Sequence, residues 1–341
     1  MSILRLCFAF WALTLQLCLA APVPQPTVSL VKRAEAGPEI GGANFPDPSI
    51  IQVSGVWYAF ATRTIGSSIH IQIASSPDFV IWTILKDPDG SQKDALPNLP
   101  AWVDASSPNT WAPDLIQIEN NFVMYYSATT GANPNQHCIG AATSSSITGP
   151  FTPVGSAALI CPTFQGGAID AAGYWEAATG QRYITYKVDG NSQGHGGACG
   201  NGVAPYVPTP IMLQPVSAAD GYTLQGAPTQ LLNNNGAADT GIVEAPSMTK
   251  VGGTYILFFS SGCFTTGSYT VSYATSTSIT GPFTRASNPL FATGVDGLNT
   301  PGSADIYRDG SHMLFHGNSP QGTGRALYTA QIVINGNTVS A

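Results

Sequence analysis

An all-β fold built by repetition is what this sequence predicts, and three observations predict it. Charged residues fill only 9% of the 341 positions, while Gly (37) and Pro (26) are abundant. Long amphipathic helical patterns are absent. Short runs rich in Val, Ile, Tyr, Phe and Thr alternate with turn signals along nearly the whole chain.

The repeats decide how those strands are arranged. "IGAATSSSITGPFTPV" (139–154) and "VSYATSTSITGPFTRA" (271–286) are near copies, and "IQIASSPDFVIWTIL" (71–85) is a weaker relative. Each is a strand, a Ser-rich turn and a second strand. Ahead of these lie aromatic strands after polar turns: "GVWYAFATR" (55–63), "NNFVMYYSA" (120–128) and "GGTYILFFSSG" (252–262), with "QRYITYKVDG" (181–190) and "GSHMLFHGNS" (310–319) in the same place. About ten residues earlier in each unit comes a short segment expected to be innermost: "PDPSII", "APDLIQI", "AIDAAGYW", "EAPSMTK" and "SADIYRD". Five units of four strands match a five-bladed β-propeller, in which radial repetition leaves little exposed edge. A sandwich or barrel is the competing arrangement, because strand patterns alone do not fix topology.

The ends of the chain read differently. Residues 1–20, "MSILRLCFAFWALTLQLCLA", have the cation, apolar run and small-residue end of a secretory signal peptide. Residues 21–33 form a Pro-rich pro-segment ending in Lys32-Arg33, so a mature propeller domain is expected over 34–341, secreted and extracellular. Losing Arg5, Lys32 and Arg33 takes the formal net charge from −7 to −10. So acidic a chain is a poor partner for nucleic acid or an anionic membrane surface, and a monomer is expected. Four cysteines remain, Cys138, Cys161, Cys199 and Cys263. They allow three pairings, of which Cys138–Cys161 with Cys199–Cys263 is favoured in an oxidising compartment.

Chemistry enters through acids at matching positions. Asp47 is wedged between Pro46 and Pro48, which leaves its backbone little freedom. By itself this reads as a turn. Yet Asp170 and Glu244 stand at the same place in units three and four, flanked by small or rigid residues. Unit two has Ala112 there, with Asp114 one pleat on. In a propeller the starts of the innermost strands converge, and gathered acids acquire pKa values pushed apart by burial and like charge.

Taken together, "FPDPSII", "TWAPDL", "GGAIDAAGYW" and "VEAPSM" resemble, in order and spacing, the signature segments of glycoside hydrolase family 43 across essentially the whole mature chain. The resemblance implies an inverting glycosidase. By that likeness Asp47 is the general base, Glu244 the general acid and Asp170 the third acid, which raises the pKa of the general acid and orients substrate. Asp114 is similar to a carboxylate that supports the substrate site. Arg325, in "GTGRALYTAQI", resembles a substrate-contacting arginine. Trp111 and Phe45 flank the inner segments and are candidates to stack on a sugar face. Where the family often has a His after Pro-Gly in blade five, this chain has Ser303, which weakens a His-bound central calcium; His316 is the candidate replacement. No cofactor is required on this reading.

The expected substrate is a plant pentose polymer or oligosaccharide: arabinan, arabinoxylan or xylooligosaccharides. The expected activity is exo-acting α-L-arabinofuranosidase or β-xylosidase, with endo-1,5-α-L-arabinanase the nearest alternative. A retaining fructoside-cleaving propeller and a carbohydrate-binding propeller without activity are the more distant ones. The Gly-rich stretch 189–202 lacks the Lys-Ser/Thr and helix of a phosphate loop and reads as a rim loop.

Overall fold

The structure, a computed structural model, describes residues 37–64 and 66–341. The expected signal and pro-segment therefore lie outside the described residues. The rest forms five antiparallel sheets in chain order. Blade 1 has β1 (Ser49–Val53), β2 (Val56–Ala61), β3 (Gln72–Ser76) and β4 (Thr83–Ile84). Blade 2 has β5 (Trp111–Ile118), β6 (Asn121–Thr130), β7 (Asn133–Ser144) and β8 (Thr152–Pro153). Blade 3 has β9 (Ala168–Glu176), β10 (Gln181–Val188), β11 (Ile211–Val216) and β12 (Thr229–Leu232). Blade 4 has β13 (Val243–Val251), β14 (Thr254–Ser261), β15 (Thr270–Ser276) and β16 (Thr284–Arg285). Blade 5 has β17 (Gly302–Ile306), β18 (His312–Asn318) and β19 (Arg325–Gln331), and a hairpin of β20 (Val333–Asn335) and β21 (Thr338–Ser340) ends the chain. The first strands of successive blades touch one another around a single axis, and β17 returns to β1. This is the five-bladed propeller that the repeats predict.

Blade 5 departs from four strands per repeat. Its outer position is filled by residues 39–45, ahead of blade 1. Phe45 N–H donates to the Arg325 carbonyl at 2.8 Å and Glu39 N–H to the Leu327 carbonyl at 2.8 Å, with Asn44 bridged to Ala326. The ring is thus closed by its own N-terminal segment, and an edge that would template pairing is covered.

The apolar core lies between blades. β14 shows why its sequence is apolar throughout: Ile256 and Phe258 pack with blade 5, while Tyr255, Leu257 and Phe259 pack with blade 3. Alternate side chains face opposite sides of a strand, and here both sides are covered. Equivalent layers join blades 1 and 2, 2 and 3, and 5 and 1. Both favoured disulfides form. Cys138–Cys161 ties β7 to the segment after β8, and Cys199–Cys263 ties the Gly-rich loop to the segment after β14.

Candidate active site

Every innermost strand begins with the same distortion. Asp47, Ala112, Asp170, Ala245 and Ser303 all have φ between 37° and 57°. In blades 2 to 5 each is followed by one more unpaired residue, so that two residues oppose one on the next strand, as between the pairs Glu244↔Ser260 and Ser247↔Phe258. Blade 1 repeats it, with Thr62 N–H reaching the Pro46 carbonyl at 3.1 Å before Ser49 pairs with Phe60. These are β-bulges, which bend a strand and re-aim its side chains. They also account for Pro48, Pro113 and Pro246: a residue in a bulge donates nothing to the ladder, so proline is tolerated there. The Asp-Pro pair that reads locally as a turn is one copy of a fivefold device.

The bulges stack three layers of side chains around a narrow axial channel. The upper layer is Asp47, Ala112, Asp170, Ala245 and Ser303, the middle one is Pro48, Pro113, Ala171, Pro246 and Ala304, and the lower one is Ser49, Asp114, Ala172, Ser247 and Asp305. This corrects the alignment made from sequence. Glu244 is not level with Asp47 and Asp170; Ala245 is, and Glu244 stands one residue earlier, level with Trp111, Ile169 and Gly302. Similar Pro and Ala neighbours had disguised the offset. Asp114 likewise belongs to the lower layer. It is buried, accepts Gly173 N–H at 2.7 Å and neighbours Asp305, so it supports the channel rather than meeting substrate.

A ring of caps holds the upper layer. Thr62 Oγ1 accepts from Ala112 N–H (3.1 Å), Ser127 Oγ from Asp170 N–H (3.1 Å), Ser260 Oγ from Ser303 N–H (2.8 Å) and His316 Nδ1 from Asp47 N–H (3.1 Å). Each cap sits on the second strand of one blade, or for Thr62 just beyond its end, and serves the next. Blade 3 breaks the pattern. Lys187 occupies its cap position, opposite Ile169, and the Ala245 N–H is bound by Asp170 Oδ2 at 2.9 Å instead.

The three acids converge on the mouth of the channel. Asp47 Oδ1 accepts from Arg325 Nη1 at 2.7 Å and lies 3.2 Å from His316 Nδ1, while Oδ2 accepts from Thr62 Oγ1 at 2.5 Å. Burial favours its neutral form, but the Arg325 charge and the Thr62 hydroxyl outweigh it and hold the carboxyl well below the usual range. Asp170 goes the other way. Burial, then the charges of Glu244 and Asp47, push it up to about 8 against Lys187 and the Ala245 N–H. Glu244 accepts from Tyr269 OH at 2.9 Å on Oε1 and pairs with Lys187 Nζ at 2.8 Å on Oε2. Burial, and next the Glu244 charge, raise the Tyr269 hydroxyl well above its ordinary value, so it stays a neutral donor. Room for this tyrosine comes from Gly302, where a Cβ would stand 1.8 Å from its ring.

Beside Asp47 opens a cavity of about 380 Å³, lined by Trp111, Phe264, Arg63, Asn318 and Arg325 among others. The Trp111 ring stacks on His137 at 3.7 Å, and the Arg325 guanidinium lies 4.8 Å from the Phe264 ring centre. Phe45 is corrected: it is fully buried between blades 5 and 1 with Trp57 and Leu327, because its segment is the closing strand, and it cannot reach a sugar. Lys187, Tyr269, Thr62 and Phe264 escaped the sequence reading. Lys187 alone left a signal, a charge inside the apolar run "YITYKV".

The residues do not fit a protein-held calcium. Among the described residues no group of three or more His, Cys, Asp or Glu is arranged so that it could hold a metal ion. Calcium takes six to eight oxygen ligands. His316, fully buried, offers one nitrogen, Nε2, with no partner. Burial, then Arg325, lowers its pKa and keeps it neutral. With Nδ1 accepting from Asp47 N–H, the ring proton sits on Nε2, which makes it a donor and not a metal ligand. His316 is a cap of the ring.

An acidic funnel with one carboxylate held ionised, another held protonated and an aromatic-lined cavity alongside defines a glycoside hydrolase. Comparison with known proteins places it further. The model of glycosyl hydrolases family 43 matches residues 40–338, and the chain belongs to that family, whose members hydrolyse with inversion by general acid–base catalysis. The extracellular endo-alpha-(1->5)-L-arabinanase 1 of Bacillus subtilis (strain 168) is 26% identical over 286 residues, 79% of this chain and 79% of that protein. The extracellular endo-alpha-(1->5)-L-arabinanase of Thermotoga petrophila is 31% identical over 126 residues, 35% of this chain and a quarter (25%) of that longer protein. Among solved structures, a thermostable family-43 glycoside hydrolase superposes with a TM-score of 0.70 at 24% identity, covering 87% of this chain and 92% of its own. A native Bacillus subtilis arabinanase gives 0.65 at 20% identity, covering 88% and 98%. Those two likenesses concern the fold. Among the described residues no helix is long and apolar enough to cross a membrane.

Proposed function

We propose that this is a secreted, monomeric arabinan-degrading hydrolase, with Asp47 as general base and Glu244 as general acid in cleaving α-L-arabinofuranosyl bonds. The observation that carries the chemical roles is the opposed electrostatics of the acids. Asp47, gripped by Arg325 and Thr62, is ionised across the working pH range and takes the proton of the attacking water. Asp170, raised to about 8, keeps a proton beside Glu244, so the Asp170–Glu244 pair carries the one proton that the leaving oxygen needs. Water attacks the anomeric carbon from the Asp47 side. The glycosidic C–O bond breaks as Glu244 protonates the leaving oxygen, and one product leaves with inverted configuration. Tyr269 and Lys187 fix the Glu244 carboxyl. Arg325 also lines the sugar cavity, with Trp111 and Phe264 offering apolar faces to the C–H side of a furanose.

The choice of arabinosyl bonds over xylosyl ones rests on the relatives similar in sequence, which are extracellular endo-arabinanases. Secretion rests on the apolar opening of the chain and the two disulfides. The mechanism uses no resident cation, so chelation leaves activity intact. Product analysis tests the substrate class. Linear arabinan and arabino-oligosaccharides are expected to release arabinose or short arabino-oligomers, with xylooligosaccharides cut far more slowly. Preferential release of xylose would overturn the reading.

A further inference from the structure

Lys187 is the exception in the ring of caps, and it leaves a chemical difficulty. A general acid must carry a proton to give away, yet a buried ammonium 2.8 Å from Glu244 Oε2 favours the carboxylate. Lys187 is fully buried, and burial alone would discharge it; the surrounding carboxylates, Glu244 first and then Asp189 and Asp170, outweigh that and raise its pKa. The ammonium also lies 3.2 Å from Asp189 Oδ1, which is buried and makes no aligned hydrogen bond. Asp189 itself is firmly placed. Its N–H donates to the Gly167 carbonyl at 2.9 Å, and its carbonyl accepts from Ser192 N–H at 3.1 Å. A second, underused partner therefore stands within a few tenths of an ångström of the lysine's reach.

We propose that Lys187 is a positioning residue that controls the proton on the general acid by moving between two carboxylates: it holds Glu244 as the carboxylate in the free enzyme and shifts onto Asp189 when a sugar fills the site. This rests on Glu244 being the general acid. With Lys187 on Glu244, the proton of the Asp170–Glu244 pair rests on Asp170. With Lys187 on Asp189, Glu244 becomes the better base of the two and takes the proton. It then passes that proton to the glycosidic oxygen as the C–O bond breaks, while the attacking water gives its own proton to Asp47. The two carboxyls reset by exchange with solvent, so the cycle needs no other reactant.

The groups facing Glu244 are Asp170 on β9, Lys187 on β10, Asp47 ahead of β1, Tyr269 ahead of β15 and His316 on β18. Lys187 additionally faces Asp189 and His137. Burial, then Lys187 itself, lowers His137 to about 4, so it stays neutral and does not compete. The stretch 189–202, a mere rim loop in sequence, thereby acquires a role as the carrier of the second carboxylate.

The test is Asp189→Asn, read by leaving group and pH. Confined to Glu244, Lys187 favours the carboxylate and leaves less of it able to donate a proton. The basic limb of kcat/KM then moves to lower pH, and kcat on an arabino-oligosaccharide falls about tenfold or more. Hydrolysis of a 2,4-dinitrophenyl arabinofuranoside, whose leaving group needs no proton, changes less than about threefold. Lys187→Met moves the basic limb the opposite way; if that variant does not fold, Asp189→Asn decides alone. An unchanged oligosaccharide rate, or an equal loss on both substrates, overturns the proposal. Glu244→Gln in parallel separates the failures. If it is inactive on oligosaccharide while Asp189→Asn behaves as wild type, only the role of Lys187 falls. If Glu244→Gln stays active, the acid assignment itself falls.

Discussion

Asp305, in the lower layer of the axial channel, costs this protein stability at neutral pH. Its carboxylate accepts from Ile50 N–H at 2.8 Å and Ser247 Oγ at 2.6 Å, yet burial still raises its pKa to about 6. A folded-state value above the unfolded 3.8 means that the folded chain retains a proton which the unfolded chain has released. Stability is therefore lost as pH rises through roughly 4 to 6 and the loss is complete above that, at a cost of about 3 kcal/mol. Asp305→Asn removes that titration, and with it the charge that helps to raise the neighbouring Asp114. The variant's Oδ1 keeps the Ile50 N–H, and its Nδ2 donates to Ser247 Oγ, which already accepts from Ile306 N–H at 3.1 Å. Leaving the serine hydroxyl without an acceptor costs about 1 kcal/mol. The balance is a gain of about 2 kcal/mol at pH 7.5, which raises Tm by about 3 °C, and a slight loss at pH 4. Thermal unfolding followed by near-ultraviolet circular dichroism at both pH values measures this. A Tm difference of the same size and sign at pH 4 and 7.5 would refute the assignment of that titration to Asp305.

Three further outcomes are expected. Arg325→Ala removes the cation that holds Asp47 ionised, so the acid limb of the kcat/KM profile moves to higher pH; an unmoved limb would detach Arg325 from the base. Gly302→Ala drives a Cβ into the Tyr269 ring and unseats the hydrogen bond to Glu244, lowering kcat on oligosaccharides about tenfold while circular dichroism stays native. Phe264→Ala removes one apolar wall of the sugar cavity, raising KM for arabino-oligosaccharides about three- to tenfold with kcat little changed, as the loss of one aromatic contact worth about 1 kcal/mol requires.

Much of the architecture was legible because it repeats. The two "SITGPFT" turns and five aromatic strands report a unit that can bury both faces only between neighbours, and the inter-blade clusters are the result. Closure of the ring was not legible, since the closing segment, residues 39–45, pairs through backbone groups whose donors and acceptors every residue carries. Asp47, Asp170 and Glu244 were found by their flanking prolines and alanines, and that same cue put Glu244 one residue out of register, because the bulge that separates it from Ala245 is a property of backbone dihedrals. Phe45 misled for a related reason: adjacency to Asp47 in sequence says nothing about which side of a closing strand a ring takes. Lys187 meets Glu244 across two blades, and Tyr269 meets it from 25 residues further along the same blade, separations at which no local pattern marks a partner.

The division of labour between Asp47 and Glu244 is tested most directly by comparing Asp47→Asn and Glu244→Gln on two substrates, an arabino-oligosaccharide and a 2,4-dinitrophenyl arabinofuranoside. Loss of the base should slow both by about a hundredfold or more, whereas loss of the acid should slow the oligosaccharide by about that much and nearly spare the activated aryl sugar. Glu244→Gln cleaving the oligosaccharide at the wild-type rate, or failing equally on both substrates, would contradict the account.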